Sequence, residues 1–239
     1  MNLGLVIGAV LVWLSARRRQ MAPRRTVDTA LAAALGGLIL GRAAYVGIHW
    51  AYYADHAQDA LRLWEGGLLW QGALLGGVMG AAAMATARRM SPTRLLDMLT
   101  PGAATVAVFA WLACHARGCA YGIETYPGQG LLWALSRDLP DLYGIREPRV
   151  AVQLLGAGWS GLVLGAVLIA ERRLRRRGAV FALWLTLHSL GCFGLGLLRA
   201  DEMVSVAGWR LDQLVNLTLS AVGAVLLGSL RLWNADTSG

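Results

Sequence analysis

Eight side chains in this sequence are of types that could bind or transform an anionic substrate: Arg42, Gln71, His115, Arg117, Glu124, Arg149, Gln153 and Arg199. The four arginines are permanent cations whose planar forks match a phosphate or a carboxylate. His115 and Glu124 can take a proton from an acidic nucleophile, whereas Gln71 and Gln153 only exchange hydrogen bonds. Arg42 is the most conspicuous, because it interrupts an apolar, glycine-rich run from Gly36 to Trp50. A charge in hydrocarbon costs on the order of several kcal/mol, so it is expected to face a polar cavity; the plainer alternative is a side chain snorkelling to the headgroups. His115 could equally be a polar interfacial anchor, and Arg199 an anchor paired with its neighbour Asp201.

The elements that must position these groups are transmembrane helices. Hydrophobic residues make up 56% of the 239 and charged residues only 15%, too apolar a balance for one soluble core. The apolar stretches fall at about 3–16, 29–48, 68–87, 95–113, 150–170, 179–198 and 211–232. All but the first approach the ~20 residues that cross a bilayer as a helix. The expected fold is therefore an all-α integral membrane protein of about seven transmembrane helices, forming a single domain over residues 1–239. Residues 114–149 are expected to form a longer arm on the outer side, punctuated by Pro127, Pro140 and Pro148.

Charge supplies the orientation. The net charge is +8, and arginine clusters stand at Arg17 to Arg19, Arg24 and Arg25, Arg88 and Arg89, and Arg172 to Arg177, at the ends of apolar stretches. With every cluster inside, the amino terminus lies outside and the carboxyl terminus, past Arg231, lies in the cytoplasm. The first stretch carries its basic residues after the apolar run, which reads as a retained helix rather than a signal peptide. No basic stripe interleaved with aromatics follows the clusters, so nucleic acid is not an expected partner.

Trp50, Trp64, Trp70, Trp111, Trp133 and Trp209 mark the outer boundary, and Trp13 and Trp233 the inner one. Gly36, Gly37 and Gly41, with Gly72, Gly76 and Gly77, give small faces for close helix packing or room for acyl chains. Cys114, Cys119 and Cys192 lack the paired clusters of a zinc site. They read as small buried residues, with a Cys114–Cys119 disulfide open to them on an oxidising side. No metal and no cofactor is expected.

The order of motifs along nearly the whole chain resembles that of the prolipoprotein diacylglyceryl transferases. The matching stretches are Gly36 to Tyr45, Glu65 to Gly77, Gly118 to Thr125, Arg149 to Leu154, and Leu198-Arg-Ala-Asp201 followed by Gln213. The resemblance implies an inner-membrane enzyme that moves the diacylglyceryl group of phosphatidylglycerol onto the lipobox cysteine of a prolipoprotein, a partner presented by its signal peptide. It also marks departures. Gln71 stands where the family has a histidine, Trp111, Cys114 and Cys119 replace polar residues, and Cys192 and Gly196 take the places of an arginine and a glutamate. Arg149, Gln153 and Arg199 are kept, while Val150, Leu155 and Gly156 replace their polar neighbours.

Two expectations follow. In the first, Arg42, Arg117, Arg149 and Arg199, helped by Gln153, form a cationic phosphate site, and His115, Glu124 or Gln71 serves the thiol. In the second, the chain is a catalytically lapsed relative that binds phospholipid or a lipoprotein precursor without chemistry.

Overall fold

In a computed structural model of the chain, residues 2–141 and 143–235 are described, with side chains as far as residue 230. The long helices are α1 (Asn2–Arg18), α2 (Pro23–Ile48), α4 (Trp70–Ala87), α5 (Pro92–Arg117), α7 (Val152–Arg173), α8 (Ala179–Gly196) and α9 (Leu211–Ala235), with short helices α3 (Trp50–Tyr53) and α6 (Leu131–Ala134) between them. Five are long and apolar enough to cross a membrane: α2, α5, α7, α8 and the Leu211–Leu230 part of α9. Helices α1 and α4, of 17 and 18 residues, cover the other two apolar stretches. Arg231 and Trp233, on which the inner boundary partly rests, lie outside the residues whose side chains are described.

The all-helical expectation needs one correction. Strands β1 (Ser136–Pro140) and β2 (Arg146–Val150) form an antiparallel hairpin, and β3 (Ser205–Val206) pairs with β4 (Trp209–Arg210). The first hairpin closes because the Asp141 carboxylate accepts the backbone N–H groups of Tyr143 (2.8 Å) and Ile145 (3.0 Å), while Gly144 adopts φ +81°. An aspartate that satisfies the turn's own backbone fixes its shape. Prolines and mixed charge, which read as loop, here sit in a hairpin, with Pro140 at the end of β1 and Pro148 within β2.

The chain divides into two compact units, one built from Met1–Leu11 and Thr100–Gly239, the other from Val12–Leu99. In the second unit, α2 and α4 are in backbone contact. A methyl group on Gly36 would strike the carbonyl of Gly76, one on Gly72 the carbonyl of Leu40, and one on Gly80 the carbonyl of Ala32. Small residues at this spacing let two helix backbones approach, so these glycines serve packing. The other end of this unit is tied by ion pairs, Arg88 to Asp28 at 2.6 Å and Arg19 to the fully buried Asp97 at 3.5 Å.

In the first unit, α7 packs on α8 and α8 on α9. Gly191 lies under the Trp159 ring, whose indole N–H donates to the Leu187 carbonyl at 3.0 Å. Gly223 meets Thr186 across the α8–α9 contact. These antiparallel contacts bring the carboxyl ends of α5 and α8 and the amino ends of α7 and α9 to one end of the unit.

The α2–α4 contact is sensitive to a single carbon atom. Gly76→Ala is expected to destabilise the protein by about 1–3 kcal/mol through overpacking. At Gly77 the nearest atom to an added Cβ is the Ala33 carbonyl at 3.6 Å, so Gly77→Ala is tolerated. Thermal unfolding of the two variants in detergent checks the contrast.

Candidate functional site

Between α5 and α7 the chain leaves the helical scaffold and crosses it as an extended segment, 121–125, hydrogen-bonded along both edges. On one edge Ile123 N–H donates to the Leu198 carbonyl and Ala200 N–H to the Tyr121 carbonyl, both at 2.9 Å. On the other, Val150 N–H donates to Ile123 at 3.0 Å and Thr125 N–H to Pro148 at 2.8 Å. This pairing sets Gly122 opposite Arg199 and Glu124 opposite Arg149. A side chain at Gly122 would strike the Val150 carbonyl, so only glycine fits there.

The start of the segment is anchored covalently. Cys114, in the last turn of α5, is disulfide-bonded to Cys119 across a tight turn in which Gly118 has φ +73°. The Gln153 side chain, from the first turn of α7, donates to the Cys119 carbonyl at 2.9 Å. Gln153 is 1% exposed, and its own carbonyl oxygen has no partner among the described residues. The Thr125 hydroxyl donates to Ser136 at 2.7 Å, tying the segment's far end to the first hairpin.

Arg149, at the end of β2, is 5% exposed. Its Nη2 faces Glu124 Oε1 at 2.8 Å and Asp141 Oδ2 at 3.4 Å, and its guanidinium lies 5.2 Å from the centre of the Tyr121 ring. Its Nε is buried with no partner among the described residues. The Tyr121 hydroxyl has a raised pKa, by burial first and then by the charges of Asp141 and Asp201, with Arg149 opposing. It is therefore a proton-bearing donor at neutral pH.

Arg199 belongs to a closed network. It grips the Asp201 carboxylate through Nε (2.8 Å) and Nη2, and reaches Asp212 through Nη1 at 3.1 Å. Arg210 bonds the same two carboxylates, Asp212 at 3.2 Å and Asp201 at 3.4 Å, and donates to the Asp201 carbonyl at 2.7 Å. Burial pulls the Arg199 pKa down, but the hydrogen bond and charge of Asp201 outweigh it and the net shift is upward. Sequence reasoning included Asp201 and missed Arg210 and Asp212. The available signal was an acidic residue in the first turn of α9, where the helix dipole favours one.

Of the remaining residues of this unit, His115 lies in the last turn of α5, its buried Nδ1 without a partner among the described residues, and Arg117 is exposed at the helix end. Glu124 is bound to Arg149, with its carboxylate 45% exposed and its second oxygen 3.5 Å from the Tyr126 hydroxyl.

Arg42 and Gln71 belong to the second unit. Arg42 is 7% exposed, and its guanidinium is occupied by backbone: Nε donates to the Ala60 carbonyl (2.8 Å), Nη1 to Gly66 (2.7 Å) and Gly67 (3.0 Å), and Nη2 to Asp59 (2.5 Å). The rings of Tyr53 and Tyr45 lie 5.4 and 5.8 Å from it. Gly66 at φ 94° and Gly67 at φ 72° turn two successive carbonyls onto one nitrogen, and a side chain on Gly67 would collide with the guanidinium. Arg42 thus holds the 59–67 segment in place. Gln71, in the first turn of α4, has a buried side-chain oxygen with no partner among the described residues.

The family model described as prolipoprotein diacylglyceryl transferase matches residues 1–228. The chain is similar to the phosphatidylglycerol--prolipoprotein diacylglyceryl transferases of Symbiobacterium thermophilum (30% identical over 233 residues, 92% of this chain and 83% of the relative), Halalkalibacterium halodurans (28% over 245 residues, 97% and 78%) and Nostoc sp. (26% over 227 residues, 92% and 79%). In the same unit the Trp111 ring lies beside Gly156 and Gln213 beside Gly196, while Cys192 Sγ lies 3.6 Å from His188 Nε2.

Two measurements check these assignments. Arg42→Lys is expected to loosen the 59–67 segment, because an ammonium cannot reproduce the fork, and trypsin cleavage after Arg62 rises about tenfold or more. Alkylation of the denatured protein labels one cysteine, Cys192, before reduction and all three after it.

Proposed function

The chain belongs to the prolipoprotein diacylglyceryl transferase family, and we propose that it moves the diacylglyceryl group of phosphatidylglycerol onto the lipobox cysteine thiol of a prolipoprotein. The observation that carries this reading is Arg149, a buried cation over the Tyr121 ring at the end of the unit where the helices stop, whose Nε–H lacks a partner among the described residues. A bound phosphate oxygen satisfies such a donor with a charge-assisted hydrogen bond. Gln153 and Tyr121 add neutral hydrogen-bonding capacity, and Arg117 an exposed cation. Arg199 contributes by bracing the extended segment that carries Tyr121 and Glu124.

The thiol, with an ordinary pKa of about 8.5, needs a base to become a nucleophile. Glu124 and His115 are the candidates. Glu124 is favoured because it already touches the phosphate-binding arginine. Gln71 can orient substrate but cannot move a proton. The carbonyl partners of Arg42 support a clamping role rather than direct contact with the headgroup.

In the proposed arrangement seven helices cross the inner membrane as one domain, the amino terminus outside and the carboxyl terminus in the cytoplasm. Residues 114–149 form a periplasmic arm that receives the prolipoprotein. The arginine clusters support this, since each follows or precedes a helix at the end away from Arg149 or Arg42. The Cys114–Cys119 disulfide supports it independently, because such bonds persist on the oxidising side. A second reading, lipid or precursor binding without turnover, is favoured by the packing of Trp111 on Gly156 where the family pattern is polar.

Complementation of a transferase-depleted bacterium, read by lipid labelling of a prolipoprotein, separates the two. Rescue with labelling is expected, and Arg149→Ala should reduce labelling by about 10²-fold or more while the protein remains inserted. Insertion without labelling of any substrate would favour the noncatalytic reading.

A further inference from the structure

Arg149 holds two carboxylates, and they are not equivalent. Asp141 is a fixture: its side chain is 10% exposed, and its second oxygen accepts two backbone N–H groups that close the hairpin turn. Glu124 is held only by its tip. Its side chain is 45% exposed and bonds Arg149 at 2.8 Å, and its second oxygen has one contact, a tyrosine hydroxyl at 3.5 Å. The backbone of Glu124 is paired across from Arg149, so rotation about side-chain bonds alone would release the carboxylate while leaving the segment in place.

With Glu124 and Asp141 both engaged, the site is not cationic. The idle Nε offers an incoming phosphate a donor, but two carboxylates already balance the guanidinium's charge, so the phosphate's own charge is uncompensated unless a carboxylate leaves. Exchanging one anion for another keeps the charge balance around a buried cation, whereas adding a third anion does not. Glu124 is the anion that can leave.

On the reading of this site as a diacylglyceryl transferase centre, we propose that the Glu124–Arg149 pair is an exchange element: the lipid phosphate takes the place of Glu124 on Arg149, and the released carboxylate becomes the base for the acceptor thiol. Lipid therefore binds before the thiol is activated. The thiol proton passes to Glu124, and the sulfur electron pair forms a bond to the glyceryl methylene carbon. The bond from that carbon to the phosphate oxygen breaks, its electron pair leaving on the phosphate. Glycerol phosphate then takes the proton from Glu124 and departs, and the carboxylate returns to Arg149. No other reactant is consumed.

The test uses the full chain in detergent, phosphatidylglycerol in mixed micelles and a lipobox peptide bearing one cysteine. Glu124→Gln removes the competing charge and the base together. It is expected to bind phosphatidylglycerol about two- to fivefold more tightly than the wild type and to transfer roughly 10²- to 10⁴-fold more slowly. Tighter binding with slower turnover is an outcome that mere loss of structure does not produce. Glu124→Asp, too short to hold Arg149 but still a carboxylate, should share the tighter binding and recover part of the rate. If the wild type transfers and Glu124→Gln binds lipid equally or more weakly, or transfers at the wild-type rate, the exchange is wrong while the transferase reading stands. A folded wild type that neither binds phosphatidylglycerol nor labels the peptide overturns both.

Discussion

A guanidinium does not give up its charge in a protein, so each arginine buried in an apolar scaffold obliges the chain to build partners around it. Three here are answered in three ways. Arg42 is met by four backbone carbonyls and two tyrosine rings, Arg149 by two carboxylates and one ring, and Arg199 by two carboxylates shared with Arg210. An unpaired buried carbonyl costs about 1–3 kcal/mol. An uncompensated buried cation costs more, so the cation dictates and the backbone conforms. The segments between the long helices, 59–67 and 121–125, are shaped by the arginines they meet.

The same balance decides how an anionic substrate can enter. Arg199 and Arg210 with Asp201 and Asp212 form a network whose formal charges cancel, with Asp212 5% exposed. Every carboxylate in it is held by both arginines, so removing one contact leaves another. That arrangement suits a brace. Arg149 differs because one of its carboxylates is shared with solvent and one of its own N–H groups is idle. The proposed site lies where compensation is incomplete.

Much of the scaffold was legible in the sequence, for a definite reason. Helices in an apolar setting are recorded locally, as unbroken hydropathy ending in arginine clusters, and each of the seven apolar stretches lies largely within a helix. The facing glycines of α2 and α4 were legible in the same way, since small residues one turn apart mark a close contact. The hairpins were not, because β1 and β2 combine prolines and charges that read as loop, and their pairing depends on Asp141 folding back on its own backbone. Nor was the company each arginine keeps. Arg199 and Asp212 are 13 residues apart and meet only because β3 and β4 turn the chain around. The partners of Arg42 are carbonyls, which leave no mark in a sequence beyond the glycines that aim them.

Packing inside the helices follows a physical rule as well: an indole lies against a glycine at Trp111 and Gly156, and a glutamine against a glycine at Gly196 and Gln213. Groups outside the helix interiors also hold backbone: Gln153 the disulfide turn, Asp141 the hairpin turn, and Arg210 the carbonyl of Asp201. Chemistry that depends on geometry is therefore best sought at the ends of the helices, where the residues that build the site are the residues that build the fold.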